Sequence, residues 1–414
     1  MAHTIIPKQA LLLSAFACDP MTGSEPYVGW NWAKMLASDF DVHVLTRRYS
    51  KSLIENDCFA ERVTFHYFDL PWVSDRNHHW RFIKLYYLVW QILVLPFVLY
   101  LHFRNRYIIV HHITYNNIDV PGFLWLCPFT SFVWGPVGGG QVAPHSLREV
   151  YGSSWWKERL RSLLKCGAQY NPVVLCAAWR ARLVFFANEE TAGRLKINPR
   201  KSILLLETAI DGAPHCALTD DNKESSTEVR ILWLSHVFRR KGLGLAIEAF
   251  RMAADRCSSD ITLRLDIVGD GPALAAEQSK AKLQPRTSQI YFHGAIPHDQ
   301  VQEYMATADI FLFSSVQDTS GNVLLEAMRN ALPIVALDHQ GARAILAKRG
   351  GKLVSIGTYR QTVASMSQAL VELAIDANER AHLGREAREE VLENHTWSSK
   401  RARVLEAYGR ILAG

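Results

Sequence analysis

Short runs of apolar residues alternate along the whole chain with longer stretches in which apolar residues recur every three or four positions. Such runs predict buried strands, and the longer stretches predict amphipathic helices. In the first half of the chain the pattern predicts strands at 10–17, 42–46, 63–68, 108–112, 132–134 and 183–187. In the second half it predicts strands at 230–235, 263–268, 289–292, 310–314 and 333–337, and helices at 243–254, 297–308 and 323–330.

The strand–helix alternation occurs twice, and the polar segment 219–228, which lacks apolar periodicity, is the best candidate for a linker between the two series. Right-handed crossovers turn each series into a parallel sheet covered on both faces. A length of 414 residues also suits two domains. The sequence therefore predicts an α/β protein with two Rossmann-like domains that face each other across a cleft. Ligands should bind in the loops beyond the carboxyl ends of the strands.

One polar loop in the second half is rich in side chains that form hydrogen bonds. Asp318 and Glu326 bracket it, and it leads into a predicted helix. The start of a helix offers unpaired N–H groups and a positive dipole end, which suit an anion. The carboxylates accept hydrogen bonds from sugar hydroxyls, and the residues between them donate. These intervening residues are Thr319, Ser320, Gly321 and Asn322.

A basic loop lies earlier in the second half, between the predicted strand 230–235 and the predicted helix 243–254. Arg239, Arg240 and Lys241 stand at the amino end of that helix, where cations oppose the helix dipole. A bound anion such as a diphosphate would remove this conflict, and His236 lies five residues before Lys241. Ile296, in the turn after another predicted strand, could contribute to a platform for a nucleotide base.

Two glycine-containing loops follow predicted strands in the first half. The first contains Gly23 and Ser24; the second, the W-G-P-V-G-G-G segment 134–140, contains Gly138. Such loops permit close approach of a ligand or act as hinges, although a plain strand–helix turn also explains the first. Neither loop is a G-x-G-x-x-G motif, and no acidic residue follows the second predicted strand. A dinucleotide cofactor is therefore disfavoured.

The charge of the chain is unevenly divided. Residues 1–201 contain 22 Lys and Arg against 14 Asp and Glu, whereas 202–414 contain 24 against 26. A basic first half favours an anionic membrane surface or an acidic acceptor as a partner. Two stretches could mediate such contact: the apolar run 85–101, which could equally be a buried helix, and the aromatic and basic segment 155–165, which could equally be a solvated helix face.

Other classes of protein are disfavoured by composition. The seven cysteines form no C-x-x-C pair, so neither a zinc site nor a disulfide framework is indicated. The apolar run at 10–18 predicts a first strand rather than a signal peptide, and we expect a cytoplasmic protein. No basic and aromatic stripe on a recognised module points to nucleic acid.

These segments together resemble the retaining two-domain GT-B glycosyltransferases of family 4, most closely over 230–340. Where the family has G-R-L-x-x-x-K-G, this chain has S-H-V-F-R-R-K-G at 235–242, so Lys241 matches the diphosphate-binding lysine and His236 replaces the usual arginine. Where the family has E-x7-E, this chain has Asp318 and Glu326. The resemblance implies that Glu326 binds the nucleotide ribose and that Asp318 lies near the transferred sugar. The G-S-E-P-x-x-G-W turn at 23–30 and the W-G-P-V-G-G-G loop are similar to a bacterial branch of the group.

By this resemblance the chain is a retaining hexosyltransferase that moves a sugar from a nucleoside diphosphate sugar to an acceptor hydroxyl. The acceptor would be a glycan or a lipid-linked intermediate of bacterial exopolysaccharide or lipopolysaccharide synthesis, and the enzyme would lie in the cytoplasm or on the inner face of the cell membrane. The expected domains are an acceptor-binding domain at 1–215, a donor-binding domain at 216–392 and a helix at 393–414 that crosses back to the first domain. Two alternatives are a non-catalytic sugar-nucleotide-binding subunit and a sugar-nucleotide epimerase.

The expected site residues fall into two groups, and no cofactor or metal is expected because the cationic loop can replace a divalent ion. The predicted catalytic residues are Lys241, Asp318 and His236. The predicted donor-binding residues are Gly23, Ser24, Gly138, Arg240, Ile296, Thr319, Ser320, Gly321, Asn322 and Glu326.

Overall fold

The computed structural model describes residues 8–21, 23, 25–70, 83–212, 227–282, 289–346 and 349–413. The chain divides into two compact units. Unit 1 comprises Met1–Gly140, Leu164–Thr208 and Trp397–Gly414, and unit 2 comprises Gln141–Leu163 and Ala209–Thr396. Residues 219–226 of the predicted linker lie outside the described part of the chain, and a strand already begins at Glu228.

Unit 1 contains a sheet of seven parallel strands. They are β1 (Ala10–Ser14), β2 (Asp41–Thr46), β3 (Thr64–Tyr67), β4 (Ile109–His112), β5 (Ser131–Val137), β6 (Leu183–Phe186) and β7 (Ser202–Leu204). Their order in the sheet is β3-β2-β1-β4-β5-β6-β7. The helices that precede β7 in the chain are α1 (Glu25–Leu36), α2 (Lys51–Glu55), α3 (Ile83–Leu93), α4 (Leu95–Asn105), α5 (Trp155–Gly167), α6 (Pro172–Arg180) and α7 (Glu189–Arg194). Helix α5 belongs to unit 2 up to Leu163, and the others belong to unit 1.

Both faces of this sheet are buried, as the continuous apolar runs predict. Leu11 and Leu13 of β1 point into one core, and Leu12 points into the other. Side chains of α1 and of the last helix, α15 (Trp397–Ala413), close the first core, whereas those of α3 and α4 close the second. Helix α15 is fastened to the sheet because the hydroxyl of Tyr408 lies 2.6 Å from Nδ1 of His111.

The apolar stretch 85–101 forms two helices rather than one. Helices α3 and α4 meet at an angle of 45°, and Pro96 lies in the first turn of α4. Proline has no N–H to bond the carbonyl four residues earlier, which explains the break. Within the described ranges no single helix is long and apolar enough to cross a membrane, although this bent pair passes the same test of length and composition.

Unit 2 contains a sheet of six parallel strands. They are β8 (Glu228–Leu234), β9 (Thr262–Val268), β10 (Ile290–Gly294), β11 (Ile310–Phe313), β12 (Ile334–Leu337) and β13 (Gly351–Val354). Their order is β10-β9-β8-β11-β12-β13. The helices are α8 (Leu243–Arg256), α9 (Leu274–Lys282), α10 (His298–Thr307), α11 (Asn322–Arg329), α12 (Gln340–Leu346), α13 (Tyr359–Ile375) and α14 (Ala377–Asn394).

Short 3₁₀ helices connect several of these elements. They span Arg48–Ser50, Cys58–Arg62, Leu124–Leu126, His145–Val150, Gly152–Ser154, Ala168–Tyr170, Pro199–Lys201 and Arg239–Lys241. The three at His145–Val150, Gly152–Ser154 and Arg239–Lys241 belong to unit 2. Leu147 and Tyr151 lie in the core of that unit, and Nη1 of Arg239 donates to the carbonyl of Tyr151 at 3.1 Å.

The prediction of an α/β protein with two parallel sheets is confirmed. Each sheet has one strand that the apolar pattern did not predict: β7 and β13, both at a sheet edge. They are three and four residues long and half-exposed for most of their length. Strand β7 begins the short apolar run 203–206, which the pattern above passed over, whereas β13 has only two adjacent apolar residues. Strand β1 is shorter than the predicted 10–17: it ends at Ser14, and residues 15–17 beyond it are buried.

Candidate functional site

Most of the predicted site residues lie at or beyond the carboxyl ends of the unit 2 strands. Strands β10, β9, β8, β11 and β12 are neighbours and parallel, so the loops that follow them meet at their carboxyl ends. His236, Arg240 and Lys241 follow β8, Ile296 follows β10, and residues 318–321 follow β11.

The loops after β8 and β11 are joined by backbone contacts. The hydroxyl of Ser314 lies 3.0 Å from the carbonyl oxygen of Lys241 and 2.9 Å from that of Gly242. Gly242 has a φ of +69°, and a Cβ there would overlap the carbonyl of Ser314, so only glycine fits. Arg240 accepts at its carbonyl from Val316 N at 2.9 Å and donates from Nη1 to the carbonyl of Gln317 at 3.0 Å. The basic loop is therefore held against the acidic loop.

At this junction the ammonium of Lys241 contacts the carboxylate of Asp318. The two side chains are 12% and 14% exposed. Burial lowers the pKa of Lys241; the Asp318 carboxylate opposes this change, and the neighbouring Arg240 adds to it. A largely desolvated cation gains strongly from an anionic partner. The ammonium of Lys241 can therefore bind another anion in place of the Asp318 carboxylate.

The start of α11 lies next to this ion pair in the chain. Gly321 caps the helix with a φ of +61°, and the hydroxyl of Ser320 donates to Oδ1 of Asn322 at 3.0 Å. Backbone N–H groups in the first turn of a helix lack partners within the helix and favour an anion. Glu326 lies one turn further along α11 and is half-buried. The six predicted residues from Asp318 to Glu326 thus belong to one loop and the helix that follows it.

Gln340, which follows β12, is a residue that the sequence reasoning missed. Its side-chain oxygen accepts from the backbone N of Asp318 at 2.9 Å, and its Nε2 donates to the carbonyl of Val142 at 3.0 Å. Its φ is +47°, an unfavourable value for a residue with a Cβ. Gln340 is therefore held in a strained conformation that fixes the backbone of Asp318. Its position after a strand was the one available signal.

Two other glutamines complete the support of this loop. Nε2 of Gln141 donates to the hydroxyl of Thr319 at 2.5 Å, and Nε2 of Gln317 donates to the carbonyl of Gln141 at 3.0 Å. Gln141 directly follows the glycines of the W-G-P-V-G-G-G segment and belongs to unit 2. Neither glutamine carries a sequence signal, because both act through contacts more than 170 residues apart in the chain.

The remaining predicted residues have surroundings of their own. His236 is exposed, and its Nδ1 lies 3.4 Å from the carbonyl oxygen of Asp270 in the loop after β9. Ile296 is half-buried beside Gly294, the last residue of β10. In unit 1, Gly23 is exposed and Gly138 is buried, with its N and O both hydrogen-bonded to the 116–118 backbone. Ser24 lies outside the described residues.

Across the described ranges, no three His, Cys, Asp or Glu side chains are grouped so that they could hold a metal ion. What the site does contain is a cationic loop, a helix amino terminus and two acids. This arrangement can bind a ligand that carries both an anionic group and hydroxyl groups.

Comparison with known proteins agrees with this arrangement. Residues 228–376 match the family described as glycosyl transferases group 1. The chain is 28% identical over 190 residues to the alpha-maltose-1-phosphate synthase of Mycolicibacterium smegmatis, covering 44% of this chain and 48% of that protein. It is 28% identical over 179 residues to the putative colanic acid biosynthesis glycosyltransferase WcaL of Escherichia coli, covering 41% and 42%. The matched part thus spans about half the length of these relatives or less.

The fold is shared more widely than the sequence. A glycosyltransferase from Rickettsia africae superposes with a TM-score of 0.66 at 14% identity, over 98% of this chain and 99% of that one. With two parallel sheets of seven and six strands, this likeness confirms the prediction of the α/β two-domain GT-B fold. Residues 228–376 are therefore similar to a group 1 glycosyltransferase domain, within a chain of the GT-B fold.

Proposed function

We propose that this protein transfers a sugar from a nucleoside diphosphate sugar to an acceptor hydroxyl with retention of the anomeric configuration. The observation that carries the proposal is the contact between Lys241 and Asp318, next to the start of α11, in the domain that matches the glycosyltransferase family. A diphosphate sugar carries both the anionic group and the hydroxyls that this arrangement suits.

The ion pair suggests how the donor binds. The β-phosphate takes the ammonium of Lys241 from Asp318, and the released carboxylate accepts a hydrogen bond from a hydroxyl of the sugar. Arg240 and the first N–H groups of α11 add positive potential around the diphosphate. Glu326 binds the ribose, Ile296 lies beneath the base, and Thr319, Ser320 and Asn322 bind the sugar.

The chemistry then depends on the departure of the diphosphate. The bond between the anomeric carbon and the β-phosphate oxygen breaks, and the acceptor oxygen forms its bond to the same face of that carbon. The acceptor proton passes to the departing phosphate oxygen, so no nucleophile of the protein is needed. Lys241, together with His236 when it is protonated, stabilises the negative charge that develops on the diphosphate. This role of the cations makes a divalent metal ion unnecessary.

The acceptor is a glycan or a lipid-linked intermediate of polysaccharide synthesis, handled at the cytoplasmic side of the cell membrane. The similarity to the colanic acid biosynthesis glycosyltransferase of E. coli supports this part of the proposal. The excess of positive charge in residues 1–201 supports it as well, because such acceptors and the surfaces that present them are commonly anionic.

Replacing Lys241 with alanine tests the proposal. We expect Lys241→Ala to lower the rate of transfer by about 10²–10³, the usual cost of removing one group that stabilises charge in the transition state. The exposed Lys280→Ala is the matched control and should keep wild-type turnover. Labelled donor and a cell-envelope acceptor fraction give the rate, and NMR of the product gives the anomeric configuration.

Each competing function gives a different result in that assay. Wild-type turnover in Lys241→Ala would contradict the role of the basic loop, and an inverted product would contradict retention. Donor binding with neither transfer nor hydrolysis would indicate a non-catalytic binding subunit. Conversion of one donor into another without an acceptor would indicate an epimerase.

A further inference from the structure

A second surface of the protein lies on unit 1, at the amino ends of four neighbouring strands. Residues 103–108, 126–130, 179–182 and 199–201 lead into β4, β5, β6 and β7, respectively. Backbone bonds join the first three segments: Ser131 N donates to Ile108 O, and Arg182 N donates to Phe132 O, both at 2.9 Å. Lys201 Nζ donates to Ala181 O at 3.1 Å. These segments lie at the amino-terminal ends of the strands, on the side of the sheet opposite to the loops that follow the strands.

Three aromatic side chains of these segments are exposed to solvent. Phe103 is 66% exposed at the end of α4, Phe129 is 92% exposed at a turn, and Trp179 is 80% exposed near the end of α6. A single exposed apolar residue is ordinary, but three aromatic residues on adjacent segments mark an interaction site.

Phe129 is held outward in an unfavourable conformation. Its φ is +52°, and it follows Pro128, so it occupies the turn position that normally requires glycine. The guanidinium of Arg180 fixes this turn, because Nη2 lies 3.3 Å from the carbonyls of both Cys127 and Thr130. The backbone thus adopts a strained conformation that places a phenyl ring in water. A partner that covers the ring would explain its retention.

The same four segments carry positive charge and no compensating acid. They contain no Asp or Glu, and they contain Arg104, Arg106, Arg180, Arg182, Arg200 and Lys201. Four of these, Arg104, Arg106, Arg182 and Arg200, are exposed, and within the described ranges none of the four forms an ion pair. Elsewhere in unit 1 a half-exposed arginine forms an ion pair: Arg401 pairs with Asp39 at 2.6 Å.

We propose that this basic-aromatic edge (Phe103, Phe129 and Trp179 with Arg104, Arg106, Arg182 and Arg200) docks on an anionic phospholipid surface. Aromatic rings partition into the headgroup region of a bilayer, and arginine side chains there bind lipid phosphates. Charge complementarity favours this partner, since the edge is positive throughout. The inference deepens the proposed function by identifying the surface that would bring the enzyme to a membrane-presented acceptor.

The neighbouring helices also expose apolar side chains. Leu85, Leu88 and Ile92 are exposed on α3, and Tyr100 is exposed on α4, three residues before Phe103. Tyr100 would extend the apolar contact beyond the three aromatic rings. The sequence pointed to this stretch and to Trp155–Trp156, but the acid-free edge formed by four separate segments is visible only in the fold.

Vesicle co-sedimentation of the full chain tests the proposal without donor or acceptor, so its outcome is independent of the transfer assay. At low salt we expect the protein to sediment with vesicles of phosphatidylglycerol in phosphatidylcholine and to stay in solution with phosphatidylcholine alone. Binding should weaken in 1 M salt, where the screening length falls from about 10 Å at 0.1 M to about 3 Å.

Paired substitutions identify the surface. One double variant combines Phe129→Ser with Trp179→Ser, and the other combines Arg182→Glu with Arg200→Glu. Each should lower vesicle affinity by about tenfold or more, since each surface cation and each ring that enters the headgroup region contributes substantially to adsorption. The exposed Tyr170→Ser and Lys34→Glu, also in unit 1, are the matched controls and should bind as the wild type does. All four positions of the double variants are exposed, so the thermal unfolding midpoint should not change.

Four results would overturn the proposal. The wild type could remain in solution with anionic vesicles at low salt, or both double variants could bind as tightly as the wild type. The single substitution Trp156→Ser could abolish binding, which would place the membrane contact on α5. Finally, the wild type could be a dimer and the Phe129→Ser, Trp179→Ser variant a monomer that still binds vesicles as the wild type does. This edge would then be a contact between two copies of the chain.

Discussion

At the scale of single residues, the central feature is a largely buried lysine paired with one carboxylate. The sequence predicted both as site residues, since each lies in a loop that follows an apolar run and precedes a helical pattern. Lys241 and Asp318 are 77 residues apart, yet β8 and β11 are neighbours in the sheet, which brings the two loops together. Their contact follows from the strand order, which the local pattern does not determine.

Gln340 shows what the sequence could not reveal at this scale. Its role depends on a positive φ and on contacts with Asp318 and Val142, 22 and 198 residues away in the chain. A glutamine after a strand has many ordinary explanations, and no motif distinguishes this one.

We expect two replacements of Gln340 to separate strain from positioning. Gln340→Ala and Gln340→Gly both remove the bonds to Asp318 and Val142, so both should lower kcat by about tenfold, as displaced catalytic groups do. Only glycine tolerates the positive φ without strain, so Gln340→Gly should be the more stable of the two by about 1 kcal/mol. Steady-state kinetics and urea unfolding supply the two measurements.

The exposed Gln368→Ala, on α13, is the control for that comparison. If the Gln340 variants match its kcat, Gln340 does not position Asp318. If the alanine and glycine variants unfold at the same urea concentration, the backbone at residue 340 is not strained.

At the scale of elements, the alternating pattern predicted most of the described strands and helices α8, α10 and α11, but not the longer helices α13 and α14. It also missed the edge strands β7 and β13. Strand β13 has few apolar residues because an edge strand needs them on fewer sides than a central one. The pattern also gave no sign that residues 141–163, assigned to the amino-terminal domain from the sequence, pack with unit 2. Leu147 and Tyr151 lie in the core of unit 2, and their neighbours in the sequence do not indicate which core they join.

The closing helix α15 contains a lysine in an unusual setting. Lys400 is buried, and its ammonium donates to the carbonyl of Leu206 and lies 5.6 Å from the ring of Trp32 and 5.3 Å from that of Trp397. Burial lowers the pKa of Lys400 to about 7; the Glu207 carboxylate opposes the change, and Arg403 adds to it.

This setting predicts a pH dependence of stability. The pKa of an ordinary lysine in the unfolded chain is about 10.4, so between pH 7 and pH 10 the unfolded state holds a proton that the folded state has released. The free energy of unfolding should therefore rise with pH over this range, by at most about 1.4 kcal/mol per pH unit from this group. Lys400→Met should remove that rise, as measured by urea unfolding from pH 6 to pH 10.

Lys34→Met, which changes an exposed lysine of α1, should keep the wild-type slope. Parallel curves for the wild type and Lys400→Met would show that Lys400 keeps an ordinary pKa in the folded protein.

At the scale of the whole molecule, the sequence already indicated two α/β domains, and the second of them is where the evidence for function lies. The match to the group 1 glycosyltransferase family, the basic loop and the acidic loop all fall within residues 228–376. The basic-aromatic edge belongs to unit 1 and is built from four separate segments. Its proposed role could not be predicted from any one of them.

The central claim is that the junction of Lys241 and Asp318 binds the diphosphate of a sugar nucleotide. Its most direct test is thermal unfolding of the wild type, Lys241→Ala and Lys280→Ala with a panel of UDP-, GDP- and ADP-sugars, with EDTA present throughout. A donor at about 100 times its Kd stabilises the folded state by about 2.7 kcal/mol. We predict that one nucleotide class raises the unfolding midpoint of the wild type and of Lys280→Ala but leaves that of Lys241→Ala unchanged. A panel without effect on the wild type, or an equal rise in Lys241→Ala, would contradict the claim.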